Sequence, residues 1–216
     1  MSLAFFDMDY TLLSKSTSTL YVKYLLRHRM ISLRELLDVS LVSVQYKLNV
    51  LDFPKATALL SRSVRGGNAE ATRHLGEKFV KEDVLQYIAS KALTRLREHQ
   101  AKGDYVLLLS ASTQFVVQPV ANHLGIPSRF TELEIGKDGQ FTGGIVGPAA
   151  YAEGKRYWGE RIAQEQGVPL GECWFYTDSY SDHPLMDIVG HPIAINPDRK
   201  LKAYAQEKGW PVEYFY

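Results

Sequence analysis

The chain has one cysteine, Cys173. A lone thiol forms no intramolecular disulfide and supports no cysteine-rich zinc site; it fits a reducing compartment. Long apolar runs are also missing. The start, MSLAFFDMD, meets a charge at Asp7 after a handful of residues, so no secretory leader is expected. The most apolar later stretch, 36–51, is broken by Asp38, Gln45, Lys47 and Asn49. It falls short of the roughly 18 uninterrupted apolar residues of a crossing helix. The expectation is a cytoplasmic protein without stable membrane insertion. An excess of one charge is absent too: the net charge is +1, which gives no global attraction to nucleic acid, and none is expected as a partner. The histidines show neither HxxxH nor HxH spacing, and His28, His74, His99 and His123 read as surface or helix-face residues. Gly66-Gly67 and Gly143-Gly144 lack the spacing of a phosphate loop.

What is present is a folded chain's balance. Its 216 residues, 45% apolar and 23% charged, suffice for one substantial core and a smaller appended unit. Leu3-Ala4-Phe5-Phe6 reads as a buried parallel strand ending at Asp7. From 14 to about 90 the pattern is helical, over 17–29, 32–50, 54–62, 69–77 and 80–100. Ser32 and Glu35 form a capping box there. After 100 the chain alternates. Strand 105–109 precedes helix 113–124. Segments 129–135 and 140–146 flank the hairpin signal Asp138-Gly139. Helix 154–166 leads to strand 173–177, a short helix from Asp182, strand 192–195, helix 198–207 and a last strand near 212–215. Alternation predicts an α/β fold, a doubly wound parallel sheet with helices on both faces. The block 14–90 reads as an inserted all-helical cap domain, leaving 1–13 and 91–216 as the catalytic core.

Four elements fall at carboxyl ends of predicted strands or at helix starts, the ligand edge of an open α/β sheet. They are Asp7-Met8-Asp9-Tyr10-Thr11, Ser110-Ala111-Ser112, Lys155, and Asp178-Ser179-Tyr180-Ser181-Asp182. On an extended backbone Asp7 and Asp9 face one side. That suits a nucleophile and a separate proton carrier. A carboxylate approaching a phosphate meets about 4 kcal/mol of repulsion per charge pair at ~4 Å, so cations must neutralise it. Asp178, with Asp7 and a backbone oxygen of Asp9, offers the oxygen ligands that Mg2+ takes. Lys155 would neutralise Asp7. Ser110, Ala111 and Ser112 would bind phosphate at a helix start. Asp182 is expected to cap the next helix while supporting the metal or Lys155.

In this order the motifs resemble the haloacid dehalogenase superfamily, in the branch similar to phosphoserine phosphatase. The resemblance runs through Gly190-His191-Pro192 and Ile195-Asn196-Pro197-Asp198 to Gly209-Trp210-Pro211. It implies a Rossmann-like core with a helical cap after the first motif. It implies a magnesium-dependent phosphatase in which Asp7 is the nucleophile and Asp9 the acid/base. Thr11, Ser110 and Ser181 fall among the substrate-binding positions, Lys155 is the neutraliser, Asp178 a metal ligand and Asp182 its support. Tyr10 departs from the small residue common at its position.

Phosphotransfer to another alcohol through the same intermediate is the first rival, and a non-catalytic binding domain of the same fold the second. The expected partner is a small phosphate ester; composition gives no oligomeric state. Between Asp9 and Glu35 there is no acid, while Lys15, Lys23, Arg27, Arg29 and Arg34 are basic. This reads as a basic cap face. Ser14-Lys15-Ser16-Thr17-Ser18-Thr19 stands where the phosphoserine branch has an acid for the substrate ammonium. Phosphoserine is therefore expected to be a poor substrate, and histidinol phosphate needs an acid such as Asp52 or Glu70 from later in the cap.

Overall fold

The computed structural model of the chain describes residues 2–30 and 64–216. The predicted helices 32–50 and 54–62, the capping box, Arg34, the 36–51 stretch and Asp52 lie outside them. Among the described residues no helix is long and apolar enough to cross a membrane.

Strand β1 (Leu3–Phe6) lies between β2 (Tyr105–Thr113) and β6 (Cys173–Thr177), parallel to both. With β3 (Ser128–Thr131), β7 (His191–Ile195) and β8 (Val212–Glu213) the order is β3-β2-β1-β6-β7-β8. The alternation of strand side chains explains why apolar runs were needed. Ala4, Phe6, Leu108, Tyr176 and Ile193 enter one core, while Leu3, Phe5, Leu107, Leu109 and Phe175 enter the other. Each fully buried phenylalanine contributes about 1.5–3 kcal/mol, and Phe6 also stacks on Tyr176 at 4.4 Å between ring centres.

Helix α1 (Thr17–Arg27) buries Thr17, Leu20 and Tyr24, spaced on one helical face. Helix α2 (Ala69–Phe79) starts at Asn68, whose Oδ1 accepts from the Ala71 amide at 2.8 Å. Tyr24 meets Phe79 edge-on, and Leu20, Tyr24, Phe79, Val80 and Val84 join the same core as Ala4 and Phe6. The predicted helix 80–100 is interrupted. After α2 come two short turns, Val80–Val84 and Leu85–Tyr87; Ile88 and Ala89 are extended, and helix α3 spans Ser90–Ala101. The reason is tertiary. Ile88 bridges Leu13, the Ser14 amide donates to Tyr87 O at 2.8 Å, and the Ala89 amide donates to Leu12 O at 2.9 Å.

Helix α4 (Gln114–Leu124) ends at Gly125, whose φ of 67° closes it as expected. Segment 129–135 is split between two sheets. β3 pairs with β2, whereas β4 (Leu133–Ile135) pairs antiparallel with β5 (Phe141–Ile145). The Gln114 side chain takes over at the junction, donating to Leu133 O and accepting from its amide. Helices α5 (Glu153–Gln166), α6 (His183–Met186) and α7 (Arg199–Lys208) complete the core.

Candidate active site

The chain leaves β1 at Asp7, whose amide donates to Tyr176 O at 2.9 Å. Residues 8–12 then fold into a tight loop instead of continuing the strand, closed by the Leu13 amide donating to Met8 O at 2.8 Å. Within it Asp9 is extended, but Tyr10 sits at φ 56°, ψ 3°. That left-handed conformation costs a residue with a Cβ about 1–2 kcal/mol. Asp7 and Asp9 are each extended, but the loop that starts at Met8 lies between them, so they do not share one continuous strand as expected; the Asp9 carboxyl still feels the Asp7 charge.

Lys155 was expected near this edge, and it is buried at 2% exposure. Its ammonium donates to Asp7 Oδ1 at 2.8 Å and to Asp182 Oδ2 at 2.6 Å, 5.6 Å from the Phe175 ring centre. Burial works against its charge, but Asp182 and then Asp7 outweigh that and raise its pKa. Asp182 Oδ2 also accepts from Thr177 Oγ1 at 2.6 Å. Asp182 occupies the position before α6 but its side chain makes no capping bond. The expected double role is corrected: the carboxylate is committed to Lys155 and Thr177.

Asp9 faces the start of α1. Its carboxylate accepts from the Thr17 amide and the Thr17 hydroxyl, both at 3.1 Å, and Thr17 Oγ1 lies 3.3 Å from Ser112 Oγ. Ser110 is buried, and its hydroxyl accepts from the Ser112 amide at 3.3 Å. These serines do not open a helix. β2 continues through them to Thr113 because Thr113 re-pairs with Thr131 after a register shift, and α4 starts only at Gln114. Ala111 is half-buried on the same strand end. Thr11 is buried, and its hydroxyl has no hydrogen-bond partner among the described residues. Ser181 is half-buried, and its hydroxyl lies 2.9 Å from Ser179 Oγ.

Three acids crowd this edge. Burial pushes Asp7 up to about 6 against the pull of Lys155, and burial pushes Asp9 up to about 7 against the Thr17 amide. Asp178 is held well above the usual carboxylate range by desolvation, then by the Asp7 and Asp182 charges. One lysine does not neutralise this set. Among the described residues no three His, Cys, Asp or Glu side chains cluster as a metal cage. The expected donor set needs only two carboxylates, Asp7 and Asp178, with the Asp9 carbonyl. All are hard oxygen donors carrying unbalanced negative charge, so a magnesium-type cation fits.

The sequence assigned no individual role in the site to Thr17, Thr177, Ser179 or Asp198. Asp198 accepts from the Tyr180 amide at 2.9 Å and from Leu201 N at 2.8 Å, fixing the loop after β6 while capping α7. An acid three residues before the first buried position of a helix was the available signal. His99, expected on the surface or on a helix face, lies on the inward face of α3. It is buried between Asp104, at 2.9 Å, and the Tyr176 hydroxyl, at 2.8 Å. Glu70 is exposed and already paired with Arg73 and His74.

The family model of the haloacid dehalogenase-like hydrolases matches residues 4–187. A histidinol-phosphatase of Neisseria meningitidis is 30% identical, with 99% of each chain covered. A phosphoserine phosphatase of Mycobacterium tuberculosis is 28% identical over 98% of this chain and 70% of its own. A Bordetella pertussis protein of unknown function superposes with a TM-score of 0.88 at 28% identity, covering 100% of this chain and 99% of its own. A phosphoserine phosphatase solved as a phospho-aspartyl intermediate analogue superposes at 0.71 with 21% identity, covering 100% and 93%. At that identity the likeness is one of fold.

Proposed function

This chain belongs to the haloacid dehalogenase-like hydrolases and is a phosphatase, and from that premise we propose that it hydrolyses small phosphomonoesters through an aspartyl-phosphate on Asp7. The observation that carries the reading is the buried Lys155 ammonium shared by Asp7 and Asp182 at the carboxyl edge of β1 and β6. A charge so placed is stable only if it serves the anions around it.

Asp7 attacks phosphorus, and the ester oxygen departs as Asp9 protonates it. Burial that lifts Asp9 to about 7 keeps part of it protonated near neutrality, as a general acid requires. After the alcohol leaves, Asp9 takes a proton from the water that attacks the phosphoryl group. Free phosphate and Asp7 are regenerated. Lys155 holds Asp7 in position and balances the charge that builds on it. The Ser110 and Ser112 groups face the phosphoryl oxygens. Asp7, Asp178 and the Asp9 carbonyl would hold Mg2+, which when bound neutralises the phosphate dianion.

The cap reading of 14–90 is part of the proposal, with α1 as its described entry. The Thr17 contact sets residues 14–19 beside Asp9. That stretch has hydroxyls and Lys15 but no acid. An ammonium there loses hydration without gaining an ion pair. The proposed substrates therefore have neutral hydroxylated or anionic leaving groups. Histidinol phosphate stays in the panel because of the Neisseria relative.

The test is phosphate release from phosphoserine, histidinol phosphate, glycerol phosphate and sugar phosphates, with chelator, with Mg2+ and with added acceptor alcohols. The expected result is hydrolysis that chelation abolishes and Mg2+ restores, with phosphoserine not leading. Activity indifferent to exhaustive chelation contradicts the metal reading. Phosphate recovered on the added alcohol favours transfer, and a tenfold lead for phosphoserine overturns the reading of 14–19.

A further inference from the structure

The loop after β1 is bracketed from the far side of the sheet. Asn196 follows β7 in a left-handed conformation at φ 42°. Its side-chain amide works in two directions. Oδ1 accepts from the Phe215 amide at 3.0 Å, and Nδ2 donates to the Tyr10 carbonyl at 3.1 Å. The Tyr216 hydroxyl donates to that same Tyr10 carbonyl at 3.0 Å. One acceptor therefore takes two donors, from side chains 186 and 206 residues away in sequence.

The segment that delivers them is tied down independently. Phe215 is buried in the core shared with Phe6. Glu213 pairs with Arg95 at 3.1 Å, the Tyr214 carbonyl accepts from Lys91 at 3.0 Å, and the Asn196 amide donates to Glu213 O at 2.9 Å. Tyr216 itself is 53% exposed, so its ring adds little to the core. What it contributes is the hydroxyl. The acceptor belongs to Tyr10, whose positive φ is disfavoured for a side chain with a Cβ. Relaxation of Tyr10 to negative φ would swing the peptide planes on either side and re-aim Asp9.

We propose that Asn196 and Tyr216 are positioning residues: their hydrogen bonds to the Tyr10 carbonyl hold the left-handed turn that aims the Asp9 carboxyl at the leaving group. This rests on the assignment of Asp9 as acid/base. Neither residue touches reacting atoms. The bracket matters most where protonation of the leaving group matters most. Phenolate is a poorer leaving group than 4-nitrophenolate of nearly the same shape, so it depends more on the acid.

The experiment compares kcat/KM for phenyl phosphate and 4-nitrophenyl phosphate in the full chain at saturating Mg2+. Tyr216→Phe removes only the hydroxyl. Asn196→Asp keeps the acceptor for Phe215 and a residue type that tolerates positive φ, but removes the donor. Each variant should lose about 5–10-fold on phenyl phosphate and less than about 2-fold on 4-nitrophenyl phosphate. Equal losses on both esters mark a merely structural role and overturn the proposal, as does parental activity on both. Asp9→Asn is measured in parallel. If it shows no leaving-group dependence, the acid/base assignment has failed and takes the bracket with it. If it shows that dependence and Tyr216→Phe does not, the bracket alone has failed.

Discussion

At the residue scale the site is an electrostatic balance around Lys155. Lys155→Ala strands Asp7 and Asp182, both buried, without their shared cation. The expected cost is about 3–5 kcal/mol of stability, checked by denaturant unfolding, together with loss of turnover. The acids set the pH response. In the proposed mechanism, phosphoryl transfer needs Asp7 without its proton and Asp9 with it. The kcat/KM profile should therefore fall on the alkaline side as Asp9, at about 7, deprotonates. Asp9→Asn should be slow and should lose that limb; an unchanged limb would assign it elsewhere. Asp7 and Asp178 drew notice in the sequence because charged residues at apolar strand ends need partners, whereas Asp9, Lys155 and Asp182 drew it through the order of the motifs. Thr17, Thr177 and Ser179 were not legible, because hydroxyls at such places look like ordinary turn and cap residues. His99 escaped because its partners, Asp104 and Tyr176, are brought to it only by the fold.

At the element scale the strands were legible, since a short run such as Leu3–Phe6 can be wholly apolar only if both faces are covered. The break at Ile88 was not, because residues 80–100 have helical spacing and it is the pairing with Leu12, Leu13 and Ser14 that interrupts them. The same holds for β2, extended past Leu109 by a partner that sequence does not display. Close helix contact makes a sharp prediction. A Cβ at Gly76 of α2 would lie 2.2 Å from the Phe115 carbonyl oxygen of α4. Backbone cannot yield as a flexible side chain does. Gly76→Ala should destabilise by about 1–3 kcal/mol or more, read as a lower Tm. A Tm equal to the parent would mean that α2 does not pack there.

At the scale of the whole molecule, the crowded acids couple stability to pH and to metal. Asp7 and Asp9, raised from 3.8 to about 6 and about 7, bind protons more tightly folded than unfolded. Their contribution is full below the unfolded value and is lost as pH rises through about 6 to 7. Asp104 is lowered to about 2, where the His99 and Ser2 bonds outweigh its desolvation, and acts in the opposite sense on the acid side. Metal-free protein should therefore melt lower at about pH 8 than at about pH 5, and Mg2+ should raise Tm more at the higher pH. A metal-free Tm that rises over that window would contradict the charge account. The central claim is covalent chemistry on the residue that ends the central strand. The most direct measurement is acid-quenched turnover of a 32P-labelled phosphomonoester followed by peptide mapping. The account predicts label on the peptide carrying Asp7, as an acyl phosphate, and none in Asp7→Asn; label on any other residue would contradict it.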